Sequence, residues 1–228
     1  MRVIAHRTCP EHAPENSLEG IAKAAELGAD AVEVDVRLTS DGVPVLNHDT
    51  TVWRIARWPL PVRWTSSARF DRLRRRDGSG AALPTFANVL ASLPAGLGLA
   101  IDVKDPAALD AVLAKLQAWR GDRARIAVWI RDPDAIRRVA AELPGTDRAL
   151  LQNTSSESRT RGYLADAVEC DATEVSIHQD GIAPWVVAEA HRLGLRAYCW
   201  IIDMPRLPEA LLAGVDGIVT DFPEQVTR

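Results

Sequence analysis

The sequence predicts an α/β protein built as a (β/α)₈ barrel, on three observations. Eight short apolar runs have the length and composition of strands, helix-like stretches lie between most of them, and 228 residues are enough for one such barrel. Barrels of this kind usually form one domain of roughly 200–250 residues. We therefore expect a single domain spanning residues 1–228.

The predicted strands and helices alternate along the chain, which is typical of a parallel sheet covered by helices. The strands are expected at residues 2–5, 31–36, 98–103, 125–130, 148–151, 173–177, 196–201 and 217–220. The helices are expected at residues 16–27, 106–119, 133–142, 159–169, 183–193 and 205–213.

The first strand and helix bring two polar residues to a strand end. The apolar run at residues 3–5 ends directly before His6 and Arg7, so both would lie at the carboxyl end of a strand. Active sites of (β/α)₈ barrels lie at that end. Farther along, Asn16 stands three residues before Glu19, the spacing of a capping box, and predicts where the first helix begins.

Residues 31–36 alternate apolar and acidic side chains. Alternate side chains of a strand point to the same face, so Glu33 and Asp35 would lie side by side. Two like charges this close are unfavourable without a cation. Carboxylate oxygens suit Ca²⁺, Mg²⁺ or Mn²⁺, and the chain lacks the His-Cys clustering typical of Zn²⁺ sites. The pair therefore predicts a site for one divalent cation.

A hairpin follows this strand. Asp41-Gly42 lies between apolar residues on both sides, which favours a tight turn and a return of the chain along residues 43–46. A tight register would bring His48 back beside the carboxylates, close to Glu33.

Six motifs occur in the order found in one known family. They read AHR, APENS and GADAVEVDVRLTSDGVPVLNHD near the start, then LPTFANVL, IDVK and finally GVDGIVTDFPE. The chain resembles the glycerophosphodiester phosphodiesterases. The resemblance implies a (β/α)₈ barrel, one divalent cation, and hydrolysis of glycerophosphodiesters to glycerol phosphate and an alcohol. By analogy, the nucleophile is the neighbouring hydroxyl of the substrate, which gives a cyclic phosphate intermediate.

The resemblance also implies roles for eight residues. The acid/base pair would be His6 and His48, the metal ligands Glu33, Asp35 and Asp102, the phosphate-binding residues Arg7 and Lys104, and a pocket-lining residue Trp200. Which histidine is the acid stays open. Three residues differ from the usual family pattern, namely Thr8 in place of Gly, Ser17 in place of Thr, and Asp102 in place of a ligand Glu. Because Asp is one methylene shorter than Glu, the ion preference can differ.

Residues 51–82 are irregular and rich in Arg and Trp, and the family has a small insertion at this place. Trp53, Trp58 and Trp64 either pack this insertion onto the barrel or shape the pocket for the leaving alcohol. The basic run formed by Arg72 and residues 74–76 is expected to be a solvated helix end.

Other interpretations stay open. Asp102 and Lys104 could form only an ion pair, and Arg7 could be a structural partner of Glu15. His178 ends a predicted strand and could line the mouth of the barrel, but a surface position is favoured. The enzyme could be a related phosphodiesterase of lysophospholipase D type, or the barrel could have lost catalysis and serve only in binding.

Composition limits the partners and the location. The net charge of −4 gives no indication of nucleic-acid binding, and the expected partner is a small-molecule phosphodiester. No apolar run approaches the length that spans a membrane, so no integral membrane association is expected. The three scattered cysteines suggest a reducing compartment, and with no leader pattern we expect a cytoplasmic protein of undetermined oligomeric state.

Overall fold

A computed structural model describes residues 1–152, 156–201 and 204–226. The strands are β1 Arg2–Ala5, β2 Ala31–Leu38, β3 Pro44–Leu46, β4 Thr51–Val52, β5 Trp58–Pro61, β6 Gly98–Val103, β7 Ile126–Ile130, β8 Asp147–Leu151, β9 Glu174–His178, β10 Arg196–Ile201 and β11 Gly217–Thr220. The α-helices are α1 Leu18–Glu26, α2 Trp53–Ala56, α3 Ser67–Phe70, α4 Phe86–Ser92, α5 Leu109–Ala118, α6 Pro133–Glu142, α7 Glu157–Glu169, α8 Pro184–Arg192 and α9 Leu207–Ala213.

Eight parallel strands close into a barrel, which confirms the predicted fold class. Their order is β1-β11-β10-β9-β8-β7-β6-β2, and β1 pairs with β2 to complete the ring. Closure gives each of the eight barrel strands two neighbours, so none of these eight is an edge strand. The predicted hairpin is also present, with β3 antiparallel to β2 and outside the ring.

The interior of the barrel is filled by small residues around two large rings. Its apolar side chains are Ile4, Ala31, Ala100, Ala127, Trp129, Ala149, Tyr198 and Val219. Four alanines leave room for Trp129 and Tyr198, whose ring centroids are 6.3 Å apart. Gly217 belongs to the same arrangement, because a Cβ built there would lie 2.4 Å from the Tyr198 ring.

The larger part of the core lies between the strands and the surrounding helices. On β2, Val32, Val34 and Val36 belong to this outer core. The alternation of the strand therefore turns Glu33 and Asp35 toward the inside of the barrel, where they are 3 % and 1 % exposed.

A polar network surrounds the buried carboxyl of Glu174 at the amino-terminal ends of β9 and β10. The indole of Trp129 donates to Glu174 Oε1 at 2.7 Å, and Arg196 Nη2 lies 3.1 Å from Glu174 Oε2 and 2.5 Å from Asp147. Burial raises the pKa of Glu174 despite these partners. The network gives the barrel a polar floor, opposite the end where the predicted site residues lie.

The insertion has its own small core. Strands β4 and β5 pair antiparallel, and α2 and α3 complete a unit centred on Val52, Val62 and Phe70. Asp41 in the hairpin turn accepts hydrogen bonds from the amide and hydroxyl of Ser67 at 2.8 and 2.7 Å, which lower its pKa to about 2. The predicted hairpin and insertion are thus joined to each other.

Two helix predictions need correction. Helix α1 is capped by Ser17, whose hydroxyl accepts a hydrogen bond from the Gly20 amide at 2.9 Å. The predicted cap, Asn16, precedes it in a left-handed backbone conformation with a φ of 50°. Helix α4 was not predicted as a helix. It begins at a capping box of Thr85 and Asn88, a signal present in the sequence but interpreted there only as part of a family motif.

Candidate active site

A pocket at the carboxyl ends of the barrel strands contains six of the eight predicted site residues. Its lining consists of His6, Arg7, Glu33, Asp102, Lys104, Trp129, Arg131, Leu151, Gln152, Ser176, His178, Trp200 and Val219. Asp35 lies buried beside this pocket in the carboxylate cluster, and His48 is outside the lining.

Three buried carboxylates form the centre of the site. Parallel pairing of β2 and β6 places Asp35 opposite Asp102, and Glu33 follows the same face of β2. One oxygen from each of the three lies within 4.8 Å of the others. Burial, followed by repulsion from Asp35, raises the pKa of Glu33 well above its usual value. Burial also acts to raise the pKa of Asp35, but the positive charges of Lys104 and His48 lower it overall.

These carboxylates fit a hard divalent cation. Glu33 Oε2 accepts the backbone N–H of Arg7 at 2.8 Å, and Asp35 Oδ2 accepts the side-chain amide of Asn16 at 2.7 Å. Asp35 Oδ1 is buried, and its close polar neighbour among the described residues is the Lys104 ammonium at 3.0 Å. The protein therefore orients Glu33 and Asp35 by a hydrogen bond to one oxygen of each, and the second oxygen of each is left to bind a metal. Such hydrogen bonds are common around metal ligands.

Asn16 holds Asp35 from two sides. Besides the contact to Oδ2, its side-chain oxygen accepts the backbone N–H of Asp35 at 2.9 Å. Arg75 in turn donates to the carbonyls of Glu15 and Asn16 at 2.5 and 3.2 Å. Arg75 is 3 % exposed, so the expectation that the whole basic run is solvated is wrong for this residue. The sequence contained no local signal for either contact.

His6 is oriented by a carboxylate from the other end of the chain. Its Nδ1 lies 2.6 Å from Asp221 Oδ1, just after β11. Such a partner fixes which ring nitrogen faces the pocket. Asp221 belongs to the last family motif, but the sequence reasoning assigned it no role.

His48 follows β3 and lies near the carboxylates without lining the pocket. Its Nδ1 is 2.8 Å from Asp49 Oδ1, and its backbone carbonyl accepts two bonds from Arg37 at 3.0 and 2.7 Å. Its side chain is 32 % exposed. Its charge reaches Asp35, as the pKa of that carboxyl indicates.

Two cations lie over the carboxylate cluster. Lys104 Nζ is 3.0 Å from Asp35 Oδ1 and also contacts Asp102. Arg7 Nε is 3.6 Å from Asp35 Oδ2 and its Nη1 is 3.8 Å from Glu15. Glu15 is bound more closely by Arg54, at 2.7 and 2.8 Å. The main partner of Glu15 is therefore Arg54, and Arg7 stays directed at the cluster.

Trp200 separates two histidines in the pocket wall. Its ring centroid lies 5.5 Å from that of His6 and 5.1 Å from that of His178, both edge-on. The indole N–H of Trp200 is buried and donates to none of the described residues. His178 lines the pocket, so the expectation that it lies on the surface is wrong.

The backbone beside the site has an unusual conformation. Arg7, Thr8 and Cys9 have φ angles of 44°, 63° and 74°, which are uncommon for residues other than glycine. At Thr8, where the resembling family usually has Gly, the hydroxyl accepts the Ser17 amide at 3.0 Å. The departure is thus accommodated by a hydrogen bond to the cap of α1.

Comparison with known proteins agrees with this geometry. The family model described as "Glycerophosphoryl diester phosphodiesterase family" matches residues 6–225. The chain belongs to that family. It is therefore an enzyme, a phosphoric diester hydrolase, and the interpretation as a barrel without catalysis has no support here.

Two relatives match this chain over nearly its whole length. The "Probable glycerophosphodiester phosphodiesterase 2" of Mycobacterium tuberculosis is 31 % identical over 91 % of this chain and 82 % of its own length. The glycerophosphodiester phosphodiesterase of Caldanaerobacter subterraneus is 26 % identical over 97 % of this chain and 94 % of its own.

Two solved structures show the same fold. An Oleispira antarctica phosphodiesterase, solved with sn-glycerol-3-phosphate, has a TM-score of 0.89 at 22 % identity and covers 99 % of this chain and 94 % of its own. The Thermotoga maritima glycerophosphodiester phosphodiesterase has a TM-score of 0.82 at 22 % identity and covers 98 % of this chain and 96 % of its own.

Among the described residues, no helix has both the length and the apolar character needed to cross a bilayer.

Proposed function

We propose that this phosphodiesterase hydrolyses glycerophosphodiesters to glycerol 3-phosphate and an alcohol, with one divalent cation and two histidines as acid and base. The observation that carries the proposal is the buried cluster of Glu33, Asp35 and Asp102 beside a histidine oriented by Asp221. Small-molecule phosphodiesters are therefore the expected partners. We also propose that residues 1–228 form one domain.

The cation would be held by the three carboxylates and would supply positive charge to the substrate phosphate. Ca²⁺ and Mg²⁺ are the proposed ions, with Mn²⁺ as a third possibility, because all three ligands are carboxylates. Arg7 and Lys104, already over the cluster, would bind the phosphate oxygens.

Two histidines divide the proton transfers. In the first step the 2-hydroxyl of the glycerol attacks phosphorus, one histidine accepts its proton, and the other donates a proton to the departing alkoxide. The product is a five-membered cyclic phosphate. In the second step water opens the ring and the same groups act in reverse, giving glycerol 3-phosphate. Each such acid or base contributes roughly 10²–10⁴-fold in rate.

The test is a coupled glycerol-3-phosphate assay with glycerophosphocholine and glycerophosphoethanolamine, in which Ca²⁺, Mg²⁺ or Mn²⁺ is added back after chelation. Activity that returns with one ion supports the proposal. His48→Ala should reduce turnover by roughly 10²–10⁴-fold without unfolding the protein. His191→Ala, a histidine on α8 that pairs with Asp216, is the matched control. Normal turnover in His48→Ala would refute the two-histidine mechanism.

A second candidate, an activity of lysophospholipase D type, is favoured by the surface of the insertion. Of the three tryptophans expected to pack the insertion or shape the pocket, Trp58 packs against the insertion's own core and donates its indole N–H to Thr65 Oγ1 at 2.9 Å. Trp53 and Trp64 are 52 % and 62 % exposed, and Leu60 is 42 % exposed. Trp53, Leu60 and Trp64 line neither the pocket described above nor the adjacent cleft, which is lined by Arg37, Thr50, Pro61, Val62, Arg63, Lys104 and Asp105. An acyl chain could lie only along the exposed apolar side chains of the insertion.

Lysophosphatidylcholine is the substrate that separates the two candidates. Preference for it over glycerophosphocholine, lost in Trp64→Ala, would favour the second candidate. Preference for the water-soluble diester would favour the first.

We further propose a cytoplasmic location. Its support is that Cys9, Cys170 and Cys199 are all buried and none of them forms a disulfide, which is usual in reducing compartments.

A further inference from the structure

Arg131 lies at the carboxyl end of β7 on the same wall of the pocket as Lys104. Strands β6 and β7 pair with Asp102 opposite Trp129. Lys104 and Arg131 each follow this pair by two residues, so the alternation of side chains turns both toward the barrel axis. Both line the pocket.

Arg131 differs from the other two pocket cations because it forms no ion pair with a carboxylate of the described residues, although burial raises the pKa of the nearby Asp102 and the charge of Arg131 helps to offset that rise. Arg7 lies near Asp35, and Lys104 contacts Asp35 and Asp102. Within residues 1–152, 156–201 and 204–226, Arg131 makes neither an ion pair nor a hydrogen bond, and it is exposed to solvent. An anion can therefore bind Arg131 without displacing a carboxylate, and a guanidinium binds carboxylates and phosphates through two parallel hydrogen bonds.

The pocket wall beyond Arg131 contains none of the lining carboxylates. Leu151 and Gln152, at the end of β8, and Ser176 and His178, on β9, form this part of the lining. The carboxylates, and the cations directed at them, belong to β2, β6 and the segment after β1. The reacting phosphate belongs on that side of the pocket, and Arg131 is left for a different part of the substrate. Glycerol carries no charge, whereas the alcohol of a glycerophosphodiester often does.

We propose that Arg131 binds an anionic group on the leaving alcohol and makes the enzyme selective for glycerophosphodiesters whose alcohol carries a carboxylate or a second phosphate. This inference rests on the proposed function. It predicts that the reaction consumes the head groups of anionic phospholipids after their acyl chains have been removed.

Glycerophosphoserine and glycerophosphoethanolamine provide the test, because they differ by one carboxylate. The ratio of their kcat/KM values is measured for the wild type, Arg131→Gln, Arg131→Lys and Arg120→Gln, the last being an exposed arginine after α5 and away from the pocket. We expect the wild type to prefer glycerophosphoserine and Arg131→Gln to lower the ratio about tenfold, between the values of an exposed and a buried charged contact. Arg131→Lys should fall between them, and Arg120→Gln should match the wild type.

Binding is measured separately by calorimetry, in protein that carries His48→Ala to prevent turnover. Tighter binding of glycerophosphoserine than of glycerophosphoethanolamine, lost when Arg131→Gln is added, supports the inference whatever the turnover. An equal loss for both ligands would mean that Arg131 binds the reacting phosphate and would overturn it. A ratio near one in the wild type would also overturn it, while leaving the proposed function intact. Absence of hydrolysis with every ion and every diester would instead count against the proposed function.

Discussion

Replacing Asn16 by Ala should destabilise the protein and weaken metal binding together. The change removes two buried hydrogen bonds to Asp35, of 2.7 and 2.9 Å. The first involves a carboxylate and contributes about 1.5–3 kcal/mol, and the second about 1 kcal/mol. Asn16 also has a φ of 50°, a left-handed conformation that costs Ala roughly 1 kcal/mol more than Gly. The expected loss of unfolding free energy is about 3–5 kcal/mol.

Asn16→Gly separates the two causes, because glycine adopts the same φ without strain but makes no contact with Asp35. It should lose about 1 kcal/mol less than the alanine variant in urea unfolding. In a metal titration both variants should bind the activating ion roughly 10–100-fold more weakly, since Asp35 is no longer oriented. A loss below about 1 kcal/mol in the alanine variant, with unchanged metal affinity, would refute the reasoning.

Three further outcomes are expected. Gly217→Ala should lower the free energy of unfolding by about 1–3 kcal/mol, because its Cβ would lie 2.4 Å from the Tyr198 ring. The measurement is thermal unfolding, and the control is Gly162→Ala on α7, where a Cβ meets nothing within 4 Å and the change should be neutral or stabilising. Burial raises the pKa of Glu174, so the folded protein binds the carboxyl proton more tightly than the unfolded chain does. The stability that this proton contributes is fully present below the ordinary pKa of 4.5 and is lost as the pH rises through the raised pKa of the folded state. The stability of Glu174→Gln relative to the wild type should therefore increase with pH. A difference in unfolding free energy that stays constant with pH would contradict the raised pKa of Glu174. Asp221→Asn should lower kcat and change KM little, as an amide removes the charge that orients the pocket imidazole; an unchanged pH profile of kcat would argue against that role.

Local sequence patterns were sufficient to predict most strands and helices and the carboxylate pair of the site, Glu33 and Asp35. Alternation along β2 is visible in the sequence because successive side chains of a strand point in opposite directions, and the structure turns Glu33 and Asp35 inward as that rule requires. The Asp41-Gly42 turn is equally local, since the positive φ at Gly42 is a conformation that glycine adopts without strain.

Apart from helix α4, whose local capping box was missed, the errors concern contacts between distant parts of the chain. Asn16 has the spacing of a helix cap, but its side chain instead binds Asp35, nineteen residues away. Arg75 looks like part of a solvated basic run, yet it is buried because the insertion folds back onto the loop before α1. His178 looks like a surface residue until β10 places the Trp200 ring against it.

The sequence by itself determined the alternation of strands and helices, the carboxylate pair on one strand face and the hairpin, because each depends on residues within a few positions of one another. Only the tertiary structure decided which groups share the pocket. Closing the ring through the pairing of β1 with β11 brings Asp221 to His6, and pairing β6 with β7 sets Arg131 beside Lys104 in one pocket wall. Such contacts depend on strand order and register, which are properties of the whole barrel and not of any segment.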